Sequence, residues 1–262
     1  MLKEDELLVE IDGVQNWIRE YVKNSGVKGV VIGDSGGKDS ATVIALCAKA
    51  LGSENVTAVS MPCNSIQTDY DDAKLVADTF GVKFIKVDLT STYNEMEKEI
   101  NQGIAAELSN ESKINVKPRL RMTTLYGIAQ TMNCLVVGTG NMCEIAVGYT
   151  TKWGDSASDF NPLGNFTVEE VIKIGEILGV PERVIKKEPN DGLGGLTDEE
   201  KMGIKYSQIA ELIEVGDTEN QDAKKEILRR YKNSRHKRNL VPIYKLITEN
   251  RDFSKIDSII NN

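Results

Sequence analysis

Residues 35–40 read SGGKDS, and their types and spacing suit the binding of phosphate groups. A turn of small residues lets backbone N–H groups point into a concavity that fits phosphate oxygens. The helix predicted to begin near Asp39 adds the positive end of its dipole. Ser35 and Ser40 can donate hydroxyl hydrogen bonds, and Asp39 can hold a Mg²⁺ ion that neutralises polyphosphate charge. The segment therefore predicts a phosphate-binding loop.

Two better-known phosphate loops do not match this segment. A Walker A loop has four residues between its glycines and a Ser or Thr after its Lys. Here three residues separate Gly33 from Gly37, and Asp39 follows Lys38. The G-x-G-x-x-G spacing of dinucleotide-binding folds is absent as well. The plain alternative is a tight strand-to-helix turn whose glycines adopt positive φ, but such a turn does not need two serines and an aspartate.

A second polar region begins with GTGNMCE and continues through GYTTKWGD and DFNP. Its Glu144 can join Asp39 as a second Mg²⁺ ligand. Lys152, Asp155 and Asp159 supply one cation and two carboxylates beyond that metal. By charge alone, these three residues favour a solvated surface loop in which Lys152 pairs with an aspartate.

Apolar runs and helical patterns alternate along the first 140 residues, and this alternation predicts how the two polar regions are positioned. Strands are predicted at 27–33, 56–62, 82–89 and 134–138, and helices at 5–24, 41–51, 69–80 and 121–132. The pattern indicates right-handed crossover units and a parallel sheet with helices on both faces. Because ligands of such sheets bind outside the carboxyl ends of the strands, both polar regions should face one cleft.

The strand pattern stops after about residue 140. We predict a long polar loop over 140–165 with one short helix, then helices over 167–178 and 198–215 and a mostly helical last sixty residues. Between these helices the glycine-rich run 189–195 is predicted to be a lid, with a plain linker as the alternative.

The composition excludes several function classes. The chain has 262 residues and a formal net charge of −8, which argues against a general nucleic-acid binder. No apolar run approaches the ~20 residues of a membrane span, and the acidic N-terminus does not resemble a signal peptide. The four cysteines form no CxxC pair, and a single histidine leaves little basis for a zinc site or a Cys–His hydrolase. Unpaired thiols are typical of the cytoplasm, which is the expected compartment.

The motifs, taken in order, resemble one known family. SGGKDS resembles the loop of the N-type ATP pyrophosphatases, the PP-loop superfamily, which split ATP between its α and β phosphates. The second polar region resembles the signature of the NAD synthetases within that superfamily, as do NVKPRLRM at 115–122 and HKR at 236–238. The resemblance implies an α/β fold with an open, mostly parallel, doubly wound sheet, Rossmann-like and similar to the adenine nucleotide alpha hydrolases. It also implies a single synthetase domain over 1–262 with no glutaminase domain.

The family implies a ligase that amidates nicotinic acid adenine dinucleotide (deamido-NAD) with ammonia. ATP would activate the nicotinate carboxylate as an acyl-adenylate, and ammonia would then give NAD and AMP, with pyrophosphate released in the first step. The implied cofactor is Mg²⁺, with ATP as co-substrate, and the implied assembly is a homodimer whose subunits share substrate sites. No nucleic-acid or membrane partner is expected.

Site residues follow from the resemblance position by position. The ATP-binding residues would be Gly33, Asp34, Ser35, Gly36, Gly37, Lys38, Asp39 and Ser40, together with Thr139, Val168 and Asn190. Asp39 and Glu144 would hold Mg²⁺. Deamido-NAD would contact Tyr21, Arg119, Lys152, Asp159, His236 and Lys237, with Tyr21 reaching into the neighbouring subunit. The predicted catalytic residues are Ser40, Lys152 and Asp155, with Asp155 placed where ammonia is received.

Three positions depart from the family pattern. Val168 replaces a common lysine, Asn190 replaces the Thr or Ser after the lid proline, and an arginine common near the end of the second strand is missing around Ser60. The triphosphate would then find its cation elsewhere, at Lys38 or Lys187, or nucleotide affinity would be lower.

Alternatives to the ligase remain. A tRNA-modifying enzyme of the same superfamily and a non-catalytic nucleotide sensor both fit the loop. The basic run 229–238 is interpreted as a dinucleotide phosphate contact, with a solvated helix face or an RNA contact as its alternatives.

Overall fold

A parallel sheet of four strands forms the centre of the fold in the computed structural model, which describes residues 2–187 and 197–244. The strands are β1 (Gly29–Gly33), β2 (Val56–Ser60), β3 (Lys83–Lys86) and β4 (Cys134–Val137). Their order is β3-β2-β1-β4, with Val30 of β1 paired to Val56 on one side and Leu135 on the other. The chain runs from β1 outwards through β2 to β3 and later adds β4 on the other side of β1. The direction of the strand order therefore reverses at β1, and open α/β sheets bind ligands at such a topological switch point.

Helices follow each strand. In chain order they are α1 (Glu4–Ser25), α2 (Lys38–Leu51), α3 (Gln67–Phe80), α4 (Thr90–Ile104), α5 (Asn110–Met132), α6 (Met142–Val147), α7 (Val168–Leu178), α8 (Glu182–Ile185), α9 (Asp198–Met202), α10 (Tyr206–Val215), α11 (Gln221–Asn233) and α12 (Arg235–Arg238). The predicted doubly wound α/β architecture is confirmed. Within the described ranges, no helix is both long enough and apolar enough to cross a membrane.

Side chains of the central strand alternate between two cores. Val30 and Ile32 are fully buried among α1, α2, α3 and α7, whereas Val31 is buried on the opposite face against α4 and α5. Because both faces of β1 are covered, its sequence GVVIG is continuously apolar rather than alternating. The two cores hold the carboxyl ends of the strands at one edge of the molecule.

A third apolar cluster fixes the region after β4. Cys143 and Val147 of α6 pack with Val168 at the start of α7 and with Ile209 and Ile227 from α10 and α11. The C-terminal helices are thereby attached to the segment that carries Glu144. This cluster, rather than the sheet, positions the second polar region.

Most predicted elements are confirmed, and the differences have physical reasons. Helix α4 has no predicted counterpart, because its few apolar residues are widely separated by polar ones and only Tyr93 is buried. Helix α5 starts at Asn110 rather than 121 and continues through Pro118. The helix predicted over 198–215 is divided at Gly203, whose φ of +70° ends α9. The lid predicted at 189–195 lies outside the described residues.

Candidate active site

A cleft of about 460 Å³ lies at the carboxyl ends of β1, β2 and β4. Its walls come from residues 33–40, from the segment that follows β2, from 137–140, and from one side of α5. The two polar regions predicted to face one cleft do so. Of the predicted ATP-binding residues, the lining includes Gly33, Asp34, Ser35, Gly37, Lys38, Asp39, Ser40 and Thr139.

The loop at 34–37 is shaped by one glycine and two hydroxyls. Gly36 has φ +71°, and a Cβ there would lie 2.2 Å from the Asp69 backbone oxygen, so only glycine fits. The Oγ atoms of Ser35 and Ser40 are 3.2 Å apart, and Ser40 Oγ donates to the Gly37 oxygen at 3.0 Å. These contacts close the loop on itself and position its hydroxyls at the start of α2.

Asp34 is a buried carboxyl inside this loop. Its Oδ1 accepts hydrogen bonds from the Gly36 amide at 3.0 Å and from Ser40 Oγ at 3.4 Å. Its Oδ2 has no hydrogen-bond partner in the part of the chain that the structure describes. Burial raises the pKa of Asp34 to about 7, and Asp72 adds to this, against the hydrogen bonds from Gly36 and Ser40 and the charge of Lys187. The loop thus holds a carboxyl that titrates near neutrality.

Asp39 and Glu144 are brought together by a residue that the motif analysis did not single out. Asn141 Nδ2 donates to Asp39 Oδ1 at 3.0 Å, and the Asn141 amide donates to Glu144 Oε2 at 3.0 Å. Asn141 is also the N-cap of α6, accepting from the Glu144 amide. Burial first, and then the neighbouring Asp39, raises the pKa of Glu144, while Lys38 opposes the shift.

This pair of carboxylates fits a magnesium ion. Mg²⁺ binds one or two carboxylates and completes its shell with phosphate oxygens and water. The mutual repulsion of Asp39 and Glu144 favours a cation beside them, and Lys38 Nζ already lies 3.1 Å from Asp39. Among the described residues there is no cluster of three or more His, Cys, Asp or Glu side chains that could bind a metal. An ion on these two carboxylates would take its remaining ligands from phosphate oxygens and water.

Two lysines at this end of the cleft are already paired. Lys38 Nζ lies 3.1 Å from Asp39 Oδ2. Burial lowers its pKa, but Asp39, Glu144 and Asp198 outweigh burial and leave the pKa raised. Lys187 Nζ lies 2.7 Å from Asp69 and 2.8 Å from Asp72. Both lysines proposed as substitutes for the family's lysine therefore line the cleft, each with carboxylates beside it.

A second cavity of about 250 Å³ adjoins the cleft and shares Gly138, Gly140 and Asp155 with it. Asp155 Oδ1 accepts the Thr151 amide at 2.8 Å, and burial of its carboxyl group raises its pKa although the residue as a whole is exposed. Lys237 of α12 also lines the cavity and donates to the Gly148 oxygen at 2.7 Å and to the Thr150 oxygen. Burial lowers the pKa of Lys237, with Asp155 acting against that shift.

Asp159 has structural partners. Its Oδ2 accepts the Val136 amide at 2.8 Å, and its Oδ1 accepts the Tyr126 hydroxyl at 3.3 Å. Burial and Asp159 together raise the pKa of Tyr126 to about 12. Asp159 lines neither cavity and fixes the end of β4 instead.

The other predicted substrate residues lie outside the two cavities, on the surface beside them. Arg119 Nε donates to the Lys152 oxygen at 3.1 Å, which places these two cations together. Tyr21 of α1 donates its hydroxyl to the Asp159 oxygen at 2.9 Å. His236 is exposed on α12. Their roles in binding deamido-NAD stay predictions.

Two predicted ATP contacts are not found in the cleft. Val168 is 6% exposed and belongs to the third apolar cluster, so its side chain faces α6 and α10 rather than the nucleotide. Asn190 lies outside the described residues. The position that carries a lysine in the resembled family is thus a core position in this chain.

Sequence reasoning missed two residues of the site. Asn141 was detectable, because N-x-x-E at 141–144 is a helix capping pattern that also orients Glu144. Arg121 lies inside the NVKPRLRM motif at 115–122, where no role was predicted for it, and only the fold brings it to the lining of the cleft. Its signal in sequence is weak because an arginine on a helix is usually solvated.

Comparisons with known proteins agree with this geometry. The family model described as NAD synthase matches residues 10–250. A protein of Archaeoglobus fulgidus named NH(3)-dependent NAD(+) synthetase is 40% identical over 239 residues, which is 89% of this chain and 95% of that protein. The structure of NMN synthetase from Francisella tularensis superposes with a TM-score of 0.86 at 31% identity, covering 92% of this chain and 99% of its own. The NH3-dependent NAD synthetase from Campylobacter jejuni, solved with a nitrate ion, gives a TM-score of 0.77 at 28% identity, covering 91% and 99%.

Proposed function

This chain belongs to the NAD synthase family, and from that premise we propose that its cleft converts deamido-NAD, ATP and ammonia into NAD, AMP and pyrophosphate. The observation that carries the proposal is the coincidence of the SGGKDS loop with Asp39 and Glu144 at one cleft, in a chain matched by the family over most of its length. The activity is an ammonia-dependent carbon–nitrogen ligation.

The reaction has two steps, and the cleft offers a place for each. In the first step, a nicotinate carboxylate oxygen bonds to the α-phosphorus of ATP and pyrophosphate leaves with the electron pair of the broken P–O bond. In the second, ammonia attacks the acyl carbon, and AMP leaves as the amide forms. The protein's contribution is to align anions that repel each other and to offset their charge. The residues at 34–40 are suited to the first task.

Asp39 and Glu144 would hold Mg²⁺. When bound, the ion would neutralise charge on the phosphate chain that the loop receives. Asn141 keeps both carboxylates in place by donating to each of them. This support comes from the protein alone and does not depend on the nucleotide.

Asp155 is the residue proposed to receive ammonia. It lines both cavities. It therefore lies where the nucleotide end, the part of the cleft around residues 34–40 and Glu144, meets the acceptor end, the second cavity with Lys237. Amide formation releases one proton, and a carboxylate with a raised pKa accepts a proton more readily than an exposed one. The charge of Lys237, which lines the same cavity, acts against the rise in the pKa of Asp155.

A homodimer with shared sites is part of the same proposal. Trp17 and Tyr21 on α1 pack against Phe160, edge-on and tilted respectively, with ring centroids 5.6 and 4.9 Å from it, and are 42% and 36% exposed. A partly exposed aromatic group of this kind suits burial against a second copy of the chain. Sedimentation or light scattering would report the dimer.

Nicotinic acid mononucleotide is a second candidate acceptor. The Francisella tularensis protein with a TM-score of 0.86 is named NMN synthetase, and this chain shares its fold. Both acceptors carry the nicotinate carboxylate that must attack ATP. They differ in the adenylyl half, which only the dinucleotide has.

The deciding experiment mixes the protein with ATP, Mg²⁺, ammonium and either acceptor, and measures AMP together with the amidated product. Formation of NAD and AMP in equal amounts supports the proposal. A preference for the mononucleotide would mean that nicotinic acid mononucleotide, rather than deamido-NAD, is the acceptor. A sensor would bind ATP without producing AMP, and a tRNA-modifying enzyme would leave both nicotinate compounds unchanged. Replacing ammonium by ammonia-free glutamine should stop the reaction.

A further inference from the structure

Arg121 is a cation of the cleft that forms no ion pair among the described residues. Within the described residues, four cationic side chains line the cleft: Lys38, Lys86, Arg121 and Lys187. Lys38 is paired with Asp39, and Lys187 with two aspartates of α3. Lys86 is exposed to solvent. Arg121 is half-buried, and in the described part of the chain it has hydrogen bonds but no ion pair.

Neutral groups fix the position of the guanidinium. Arg121 Nε donates to the Met61 backbone oxygen at 3.1 Å, and Nη2 donates to Ser65 Oγ at 3.3 Å. These bonds use two of the five N–H donors of an arginine and leave Nη1 available. Met61 follows β2 directly, so the guanidinium stands at the carboxyl edge of the sheet.

Arg121 lies among residues of both ends of the cleft. It lines the cleft together with Asp69, which touches the phosphate loop at Gly36, and with Asp155, which also lines the second cavity. Burial lowers the pKa of Arg121, and Cys63, Asp155 and Asp69 act against that shift. An arginine stays protonated in proteins. A half-buried guanidinium at this junction is therefore arranged to meet an anion.

We propose that Arg121 binds the α-phosphate of ATP and of the acyl-adenylate, an inference that rests on the proposed function. The α-phosphate is the group that must lie between the phosphate loop and the acceptor, since the new P–O bond forms there. As that bond forms and the bond to the pyrophosphate breaks, charge grows on the non-bridging oxygens. The planar guanidinium donates to those oxygens and transfers no proton.

AMP and adenosine isolate this contact because they differ only in the α-phosphate. Calorimetry should show that Arg121→Gln weakens AMP binding about ten- to a hundredfold, the loss expected for a charge-assisted hydrogen bond, with adenosine binding unchanged. The matched control is Arg19→Gln. Arg19 likewise donates to a backbone oxygen, that of Ala50, and to a side-chain oxygen, but it lies away from the cleft. This control should bind both ligands like the wild type.

A second readout uses the two diastereomers of ATP with sulfur on the α-phosphate. Wild-type turnover should fall more with one diastereomer, and Arg121→Gln should remove that preference while lowering kcat with ATP about 100-fold. If Arg121→Gln is unfolded, Arg121→Lys, which keeps the charge without the fork, should show a reduced preference. Unchanged AMP affinity and an unchanged diastereomer preference in a folded variant would overturn the proposal. The binding test stands even if the wild type forms no NAD, an outcome that would refute the proposed function alone.

Discussion

The two ends of the cleft are held together by hydrogen bonds of very different sequence separation. At the nucleotide end, the hydrogen bonds within the phosphate loop join Asp34, Ser35 and Ser40 with one another and with the glycines between them, and Asn141 adds one long-range bond to Asp39. At the acceptor end, Lys237 reaches back to Gly148 and Thr150, residues almost ninety positions earlier. The first end is shaped by the strand-to-helix turn itself, whereas the second depends on the docking of the C-terminal helices.

The two ends also differ in charge. The nucleotide end gathers carboxylates, among them Asp34, Asp39 and Glu144, beside two paired lysines. Arg119, Lys152 and Lys237 bring cations to the acceptor side. A nucleotide bound as proposed would place its phosphates beside these carboxylates, so its binding would need additional positive charge there. The geometry supports two sources of this positive charge, a metal ion at Asp39 and Glu144 and the guanidinium of Arg121.

Removing a carboxylate from the nucleotide end should have the largest effect. Asp39→Asn and Glu144→Gln are each expected to lower the rate of AMP formation about 1000-fold, since loss of metal-assisted charge stabilisation costs several kcal/mol. The fold should persist, because each side chain lies at the surface of the cleft. The matched control is Asp78→Asn, which removes an exposed carboxylate paired with Lys74. Near-normal rates in both variants at saturating Mg²⁺ would show that this pair does not bind metal.

Asp155→Asn should affect the acceptor end alone. We expect NAD formation to fall about 100-fold, as for loss of a general base, while pyrophosphate is still released from the first step. The ratio of pyrophosphate to NAD, measured in single turnovers, therefore rises above one. In Asp39→Asn the two products should fall together. If they stay matched in Asp155→Asn as well, the separation of the two ends is contradicted.

The phosphate loop of the nucleotide end was largely predictable from sequence, because its internal hydrogen bonds join close neighbours in the chain. SGGKDS lies between an apolar run and a helical pattern, so its position at the sheet edge followed from adjacent residues. Asn141, which joins Asp39 to Glu144 across about a hundred residues, needed the fold. Helix α4 escaped detection because it contributes a single buried residue, Tyr93, and its apolar pattern is sparse. The burial of Val168 likewise depends on α10 and α11, which no local pattern ties to α7.

The raised pKa of Asp34, at the nucleotide end, predicts that the free energy of unfolding depends on pH. Its pKa is about 7 in the folded protein against 3.8 for the ordinary carboxyl. Between these values the folded state holds more protons than the unfolded state, so the free energy of unfolding decreases as pH rises and levels off above the folded pKa. The slope of this contribution is at most about 1.4 kcal/mol per pH unit in mid-range. Asp34→Asn should flatten it, which denaturant titrations between pH 4 and 8 would measure.

A comparison with Asp155→Asn makes the Asp34 result specific. Any general effect of neutralising a carboxyl near the cleft would appear in both variants. We expect the mid-range slope to change most in Asp34→Asn, because burial raises the pKa of Asp34 to about 7, whereas hydrogen bonds from Thr151 and the charge of Lys237 oppose the rise in the pKa of Asp155. Equal slopes in wild type and Asp34→Asn would mean that the carboxyl is ionised throughout.

The variant Asp159→Asn tests whether Asp159 supports the fold or binds the substrate. We expect its effect on activity to be the smallest of the variants. The family resemblance predicts a substrate contact, whereas the structure gives both carboxylate oxygens to Val136 and Tyr126. Asp159→Asn keeps one acceptor and should lower the free energy of unfolding by about 1 kcal/mol, and it should raise the KM for deamido-NAD about threefold by losing a charge near Tyr21. Tyr126→Phe removes only the weaker hydrogen bond, so it should change stability slightly and KM not at all. A rise in KM shared by both variants would mean that Asp159 acts through the position of β4, whereas a rise confined to Asp159→Asn would place its charge against the substrate.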